Sequence, residues 1–242
     1  MKLTTHYFTD RGARENNEDC AGFFYKKWNY GVWAVADGLG GHDRGEVASR
    51  CAVNAALTAF GECPRTQPEQ IAQVMDAANR AVRERQGDDH GYHSMKTTLV
   101  AMFYRRGQVA FAHVGDSRLY LFRNKRIVFQ TRDHTLSQMQ AEAGNLPEED
   151  VRFHDGRNRL LRALGATDAV RADVTDAIRL RRGDAVLLCT DGFWENVLEQ
   201  CMEDTLSIAA SPAQWLELMR FHHQKVCTQR QDNFTAMAVF AK

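Results

Sequence analysis

The sequence predicts an α+β fold: a central β-sandwich of two mainly antiparallel sheets flanked by α-helices, a four-layer αββα arrangement with a small flap. Three observations lead there. The apolar runs are short, partly β-branched or aromatic, and separated by turn residues, as in strands that pair through hairpins. Three long stretches carry apolar residues at helical spacing. The order is strands, two helices, a meander, then strand, helix and strand, which lacks the regular βαβ alternation of a doubly wound sheet.

Taken in order, Lys2–Thr9 alternates and reads as a strand, and Ala21–Tyr25 is a short aromatic one. Tyr30–Ala36 (Y-G-V-W-A-V-A) is a buried strand that runs into D-G-L-G-G-H. Glu46–Phe60 has Val47, Cys51, Val53, Ala55, Leu57 and Phe60 at helical spacing, and Pro68–Arg85 is a second amphipathic helix with Ile71, Val74, Met75, Ala78 and Val82 on one side. Strands follow at Thr98–Tyr104, Val109–Val114, Leu119–Arg123 and Ile127–Gln130, with turns at Arg106–Gly107 and Asn124–Lys125. The stretch Thr135–Gly165 is more polar, begins with a short helix and reads as a flap leaving the core. Strand character returns over Val170–Leu180 and Ala185–Thr190; Trp215–Val226 is a helix and Phe234–Phe240 the last strand.

Nothing divides the 242 residues: there are four prolines, no low-complexity stretch and no repeat, so residues 1–242 read as one domain with a flap at about 135–165. Lys plus Arg equals Asp plus Glu at 31 each, which gives no support for nucleic acid or an anionic membrane as a partner. The N-terminus M-K-L-T-T-H-Y-F-T-D lacks the apolar core of a signal peptide, and no apolar run approaches the ~20 residues of a membrane helix. Cys20, Cys51, Cys63, Cys189, Cys201 and Cys227 form neither C-x-x-C pairs nor zinc-type spacings with histidine. They are expected to be reduced, mostly buried thiols of a cytoplasmic protein.

The acids carry the chemistry. Asp19, Asp37, Asp116, Asp191 and Asp232 each fall at the end of an apolar strand or in the loop beside one, where a rigid backbone can aim side chains at a common point. Asp37-Gly38, Asp191-Gly192 and Asp232-Asn233 place a small or turn-forming residue next to the acid, and glycine lets a backbone carbonyl approach a cation. Each alone reads equally as a turn. Together they point to a site of hard oxygen ligands suited to Mg²⁺ or Mn²⁺ and not to zinc.

These residues resemble the protein phosphatase 2C family, the metal-dependent protein phosphatases, and in particular its compact bacterial members. The resemblance runs in order along nearly the whole chain. It is carried by G-A-R-E-N-N-E-D (Gly12–Asp19), V-A-D-G-L-G-G-H (Val35–His42) with Gly45, Thr97–Thr98, V-G-D-S-R (Val114–Arg118) and Asp133-His134. N-R-L-L-R-A-L-G (Asn158–Gly165), C-T-D-G-F-W-E (Cys189–Glu195) and Q-D-N-F-T (Gln231–Thr235) complete it.

The resemblance implies a phosphoprotein phosphatase that hydrolyses phosphoserine and phosphothreonine by direct attack of a water bridging two Mn²⁺ or Mg²⁺ ions. No phosphoenzyme forms, and no cysteine nucleophile is expected. Asp37 would bridge both ions and the Gly38 carbonyl would bind one, with Asp191 and Asp232 holding the other. Glu18 and Asp19 would act through waters on the ions. Asp116 would help bind a third, weaker cation beside Asp191, and Arg14 would grip the substrate phosphate with its planar fork. Arg14, Asp37, Asp191 and Asp232 would thus be the catalytic set. The implied setting is a cytoplasmic monomer opposing a bacterial eukaryotic-like Ser/Thr kinase or acting on its targets. A catalytically silent binding module and a hydrolase of small phosphate monoesters are the competing readings.

Departures from the family pattern are local. Lys96 stands where glycine often precedes the Thr-Thr pair. Leu39 stands where some members have a histidine that protonates the leaving group, which passes that task to water or another acid. His42 and His134 read as structural hydrogen-bonders, His222-His223 as a solvated helix face, Phe193 and Trp194 as packing residues, and the arginines of 157–162 and 179–182 as solvated edges. Outside its motif, Arg14 reads equally as the partner of an acid.

Overall fold

A computed structural model of the chain describes residues 1–27, 29–39, 44–87, 94–226 and 231–242. Strands β1 (Leu3–Asp10), β2 (Asp19–Lys26) and β3 (Tyr30–Leu39) precede helices α1 (Arg44–Glu62) and α2 (Pro68–Gly87). The meander comprises β4 (Lys96–Thr97), β5 (Leu99–Arg105), β6 (Gln108–Val114), β7 (Arg118–Arg123) and β8 (Arg126–Gln130). After it come α3 (Leu136–Glu142), a 3-10 turn at Glu148–Phe153, and the short strands β9 (Asp173–Val174) and β10 (Ile178–Arg179). The chain ends with β11 (Ala185–Cys189), α4 (Asp191–Trp194), α5 (Glu199–Ile208), α6 (Pro212–Val226) and β12 (Phe234–Ala241).

Two antiparallel sheets result. One runs β1-β12-β11-β7-β8; the other runs β10-β6-β5-β3-β2, with β4 on β3 and β9 on β6. Both faces of the central strands are covered, which is why they read as continuous apolar runs. In β11, Val186 and Leu188 point between the sheets, where they meet Trp33, Val35, Val100, Met102 and Phe111. Ala185, Leu187 and Cys189 point outward, into a cluster with Met202 and Leu206 of α5 and Trp215, Leu216 and Met219 of α6. On the opposite side, Ala52, Ala56 and Phe60 of α1 and Ile71, Met75, Ala78 and Val82 of α2 cover Val32, Ala34, Ala101 and Phe103. The predicted sandwich with helices outside both sheets is therefore the observed fold.

The two hairpin turns adopt the left-handed backbone that matches strand twist: φ is 49° and 90° at Arg106 and Gly107, and 52° and 66° at Asn124 and Lys125. The expected strand over Val170–Leu180 shrinks to β9 and β10. These two pairs meet β6 at Ala112–His113 and Gln108–Val109; residues 175–177 lie between them, with the Thr175 amide donating to the Phe111 carbonyl at 2.9 Å. Helices α4 and α5 were not expected. Of the five described cysteines, all free, Cys189 alone is buried, so the expectation of mostly buried thiols fails; Cys227 lies outside the described residues. No described helix is long and apolar enough to cross a membrane.

Candidate active site

The antiparallel pairing brings the acids to one end of the sandwich. Asp19, opening β2, stands in register opposite Asp37 near the end of β3. Asp37 is clamped by the Thr-Thr pair. The Thr98 amide and the Thr97 hydroxyl both donate to the Asp37 carbonyl at 2.8 Å. The Asp37 amide donates to Thr98 Oγ1 at 2.9 Å. Thr98 Oγ1 also lies 2.7 Å from Ser117 Oγ, which ties Asp37 to the β6–β7 turn carrying Asp116. Asp191 starts α4, where its Oδ1 accepts the Gly192 amide at 2.6 Å. Asn233 uses its whole amide: Oδ1 accepts from the Glu18 N–H (2.8 Å), and Nδ2 donates to the carbonyls of Arg11 (2.8 Å) and Asn16 (2.9 Å). That side chain fixes the loop of Arg14 and Glu18 against Asp232. Glycine is obligatory at 38, because a Cβ there would overlap the Gly45 carbonyl oxygen.

A cleft of about 710 Å³ opens at this end, lined by Arg14, Glu18, Asp37, Gly38, Asp116, Asp191 and Asp232 among others. Asp19 lies beneath it, with Oδ2 accepting from the Thr190 hydroxyl at 2.9 Å. All eight residues singled out in the sequence thus gather in or directly under one cleft. Its charges are unbalanced. Burial pushes Asp19 up to about 8, and burial together with the charges of Glu195 and Asp232 pushes Asp191 up to about 7. Asp37 and Asp116 stand well above the usual carboxylate range, first through burial and then through the charge of Asp191. Among the described lining residues Arg14 is the single cation, and its Nη2 lies 2.7 Å from Asp232 Oδ2. The acid-pairing role open to Arg14 is therefore observed, at a side chain 62% exposed that can still reach a ligand.

The donor set passes a test for divalent cations. It is all oxygen, its acids raise one another's pKa, and the buried Asp19 Oδ1 has no hydrogen-bond partner. Such a cluster is costly unless cations neutralise it. A second group of ligand-type side chains, His113, His134 and Asp173, fails the same test. The Gly115 amide donates to His134 Nδ1 at 3.1 Å, which leaves the imidazole proton on Nε2, facing Asp173 Oδ2 at 3.3 Å. Arg162 binds Asp173 Oδ1 at 2.8 Å, and His113 Nε2 lies 2.7 Å from the Arg132 carbonyl, so these ligand-type atoms already have partners within the protein.

Several assignments are corrected. His223 is fully buried, with Nε2 2.8 Å from the Gly192 carbonyl and its ring stacked on Phe193 and Phe234; only His222 is exposed. The stride Trp215, Met219, His223 along α6 is the signal that would have shown it. Arg157 and Arg162 are not free edges: they pair with Glu195 (2.6 Å) and Asp173. Asn158 and Leu160, from the excursion after α3, line the cleft beside Leu39, a placement the sequence did not reveal. His42 lies outside the described residues.

Comparison with known proteins identifies the family and supports the fold. The profile of the family described as Protein phosphatase 2C matches residues 10–231. The chain is 36% identical over 210 residues to a serine/threonine phosphatase, stp, of Listeria welshimeri, covering 84% of this chain and 83% of that protein. The crystal structure of the Mycobacterium tuberculosis serine/threonine phosphatase PstP/Ppp superposes with a TM-score of 0.86 at 29% identity, covering 100% of each chain. The catalytic domain of a serine threonine protein phosphatase PstP in complex with 2 manganese ions does so with a TM-score of 0.81 at 27% identity, covering 99% of this chain and 98% of that one.

Proposed function

The chain belongs to the protein phosphatase 2C family, and from that premise we propose that its acid-lined cleft is where phosphoserine and phosphothreonine are hydrolysed with two divalent cations, Mn²⁺ or Mg²⁺. It is a serine/threonine phosphatase, and the reading extends that activity to named residues. One observation carries it: Asp37, Asp116 and Asp191 converge in one cleft with raised pKa values, and among the described lining residues Arg14 is the only cationic side chain. The two manganese ions named for the PstP catalytic domain support the count.

Asp37, the Gly38 carbonyl, Asp191 and Asp232 would hold the two ions, with Asp116 completing a weaker third site beside Asp191. Glu18 and Asp19 act one layer out; the place of Asp19 under the cleft, bonded to Thr190, suits that indirect role. Divalent cations, when bound, supply the positive charge that a phosphate dianion requires and acidify water so that a nucleophile is available near neutral pH. Arg14, at the rim, exchanges its bond to Asp232 for two parallel bonds to the phosphate oxygens and holds phosphorus in line. Asn233 keeps the Arg14 loop in reach. Leu39 and Leu160 offer no proton, so the leaving oxygen takes one from water or from another acid of the cleft. The segment of residues 135–165 acts as a flap over the cleft, reaching it through Asn158 and Leu160. The protein works as a cytoplasmic monomer on phosphoproteins made by a Ser/Thr kinase.

A phosphothreonine peptide, incubated with the protein and Mn²⁺, should release phosphate, and a panel of phosphorylated metabolites should react far more slowly. Equal turnover without any divalent cation would refute the reading, and a preference for metabolites would refute the protein substrate.

A further inference from the structure

Trp194 belongs to the turn begun by Asp191, yet its indole reaches the loop of a different acid. Nε1–H donates to the Asp116 carbonyl at 2.9 Å, in a fully buried bond. The ring is held from above by the Arg118 guanidinium, whose Cζ lies 3.4 Å from the ring centroid, and Arg152 approaches at 5.2 Å. Arg118 is fixed in turn by a two-pronged pair with Asp133 (2.9 and 2.8 Å) and by Tyr120 Oη at 3.2 Å. On its other side the Asp116 turn is anchored by Ser117 to Thr98, and through Thr98 to Asp37. Asp116 is therefore strung between the Asp37 strand and the Asp191 turn, and the Trp194 N–H is the link on the Asp191 side.

Asp116 and Asp191 line the same cleft, and the Trp194 bond joins the turn that carries Asp116 to the turn that carries Asp191. We infer that Trp194 is a positioning residue: its indole N–H holds the Asp116 loop at the distance from Asp191 that a weaker third cation needs. This inference rests on the assignment of Asp116 proposed above and adds a residue that acts on it only through the backbone.

The test counts bound Mn²⁺ by electron paramagnetic resonance in the full-length protein, for wild type, Asp116→Asn, Trp194→Phe and the double variant. Phenylalanine keeps an aromatic ring beneath Arg118 and removes the donor together with part of the ring volume. Trp194→Phe should weaken the weakest class of Mn²⁺ about 10-fold, within the range for outer partners of a metal ligand, and leave the tighter ions unchanged. In the Asp116→Asn background it should add nothing. If Asp116→Asn weakens that class and Trp194→Phe does not, the positioning role is wrong while the role of Asp116 stands. Equal weakening of every class, or an effect that adds to Asp116→Asn, also overturns it, because a general packing defect behaves that way. If Asp116→Asn leaves all binding unchanged, both assignments fall.

Should Trp194→Phe not fold, the wild-type protein labelled with ¹⁵N-tryptophan answers the question. Of the four indole signals, that of Trp194 should move with the weakest phase of a Mg²⁺ titration. A stationary signal would overturn the inference.

Discussion

Asp116 and Arg118 stand two residues apart, and both are buried, 4% and 5% exposed. Their charged groups meet different partners. Arg118 meets Asp133 through two hydrogen bonds, touches Tyr120 and Glu199, and lies flat on Trp194. Its one charge is answered within the protein. Asp116 faces Asp191, and its charge acts in turn on Asp37, with both carboxyls driven upward first by burial. A buried pair that is complete holds the framework together, whereas buried acids left to face one another weaken the free protein and serve a cation that comes from outside. The contrast separates the part of the molecule that carries the site from the site itself.

Charge removal should break the contrast most sharply. Asp37→Asn and Asp191→Asn are expected to lower Mn²⁺-dependent hydrolysis of p-nitrophenyl phosphate about 10³-fold or more, roughly 4 kcal/mol of barrier. EDTA should do the same to the wild type. The framework pair should respond in stability instead. Asp133→Ala strands Arg118 in the interior and should cost about 3–5 kcal/mol in urea unfolding. In the metal-free protein the two regions should differ in sign: Asp191→Asn relieves repulsion and raises the unfolding midpoint, and Asp133→Ala lowers it. A metal-free midpoint that falls on Asp191→Asn would show that the acids are already balanced.

The same division governs what the sequence discloses. The long strands, both hairpin turns and the acids were legible because they depend on local signals: apolar runs, turn residues, and an acid beside each strand end. The framework was not. Arg118, Asp133 and Trp194 are far apart along the chain, and nothing in D-G-F-W says that the indole N–H ends on Asp116. His223 was misread because its neighbours His222 and Lys225 are polar, although the four-residue stride from Trp215 places it inside. Helix α5 escaped because E-Q-C-M-E-D-T-L-S-I buries only Met202, Thr205 and Leu206, a weak stripe. Asn158 and Leu160 reach the cleft by tertiary placement of an irregular segment, which periodicity does not encode.

pH gives a smaller and graded test. Asp191 and Asp19 hold their protons up to about 7 and about 8 in the folded, metal-free protein, whereas in the unfolded chain carboxylates lose them near ~4. A raised folded pKa contributes stability that is fully present below the unfolded value and is lost as pH rises through the folded one. The metal-free midpoint should therefore fall between roughly pH 4 and pH 8. Mn²⁺ displaces those protons, so the gap between loaded and metal-free midpoints should widen over the same interval. Burial, then the charge of His113, holds His134 down to about 4, which acts oppositely and only in acid, below its ordinary range near ~6.5. A gap that is constant across the interval would argue against an acid cluster awaiting cations.

The smallest effect belongs to the residue that stands between the two regions. Arg14 is paired, like Arg118, but its partner is a member of the acid cluster and the pair is open to water, with side chains 62% and 44% exposed. An exposed pair of this kind contributes at most about 1 kcal/mol, so Arg14→Ala should hardly move the unfolding midpoint. Its weight lies in substrate binding. On the proposed role, in which Arg14 grips phosphate in the ground state as well as in the transition state, Arg14→Ala should raise KM about 10-fold, roughly 1.4 kcal/mol, with a smaller change in kcat. Arg14→Lys keeps the charge but loses the fork, and should recover only part of that loss. An unchanged KM in Arg14→Ala would assign the guanidinium to Asp232 alone and place it with the framework.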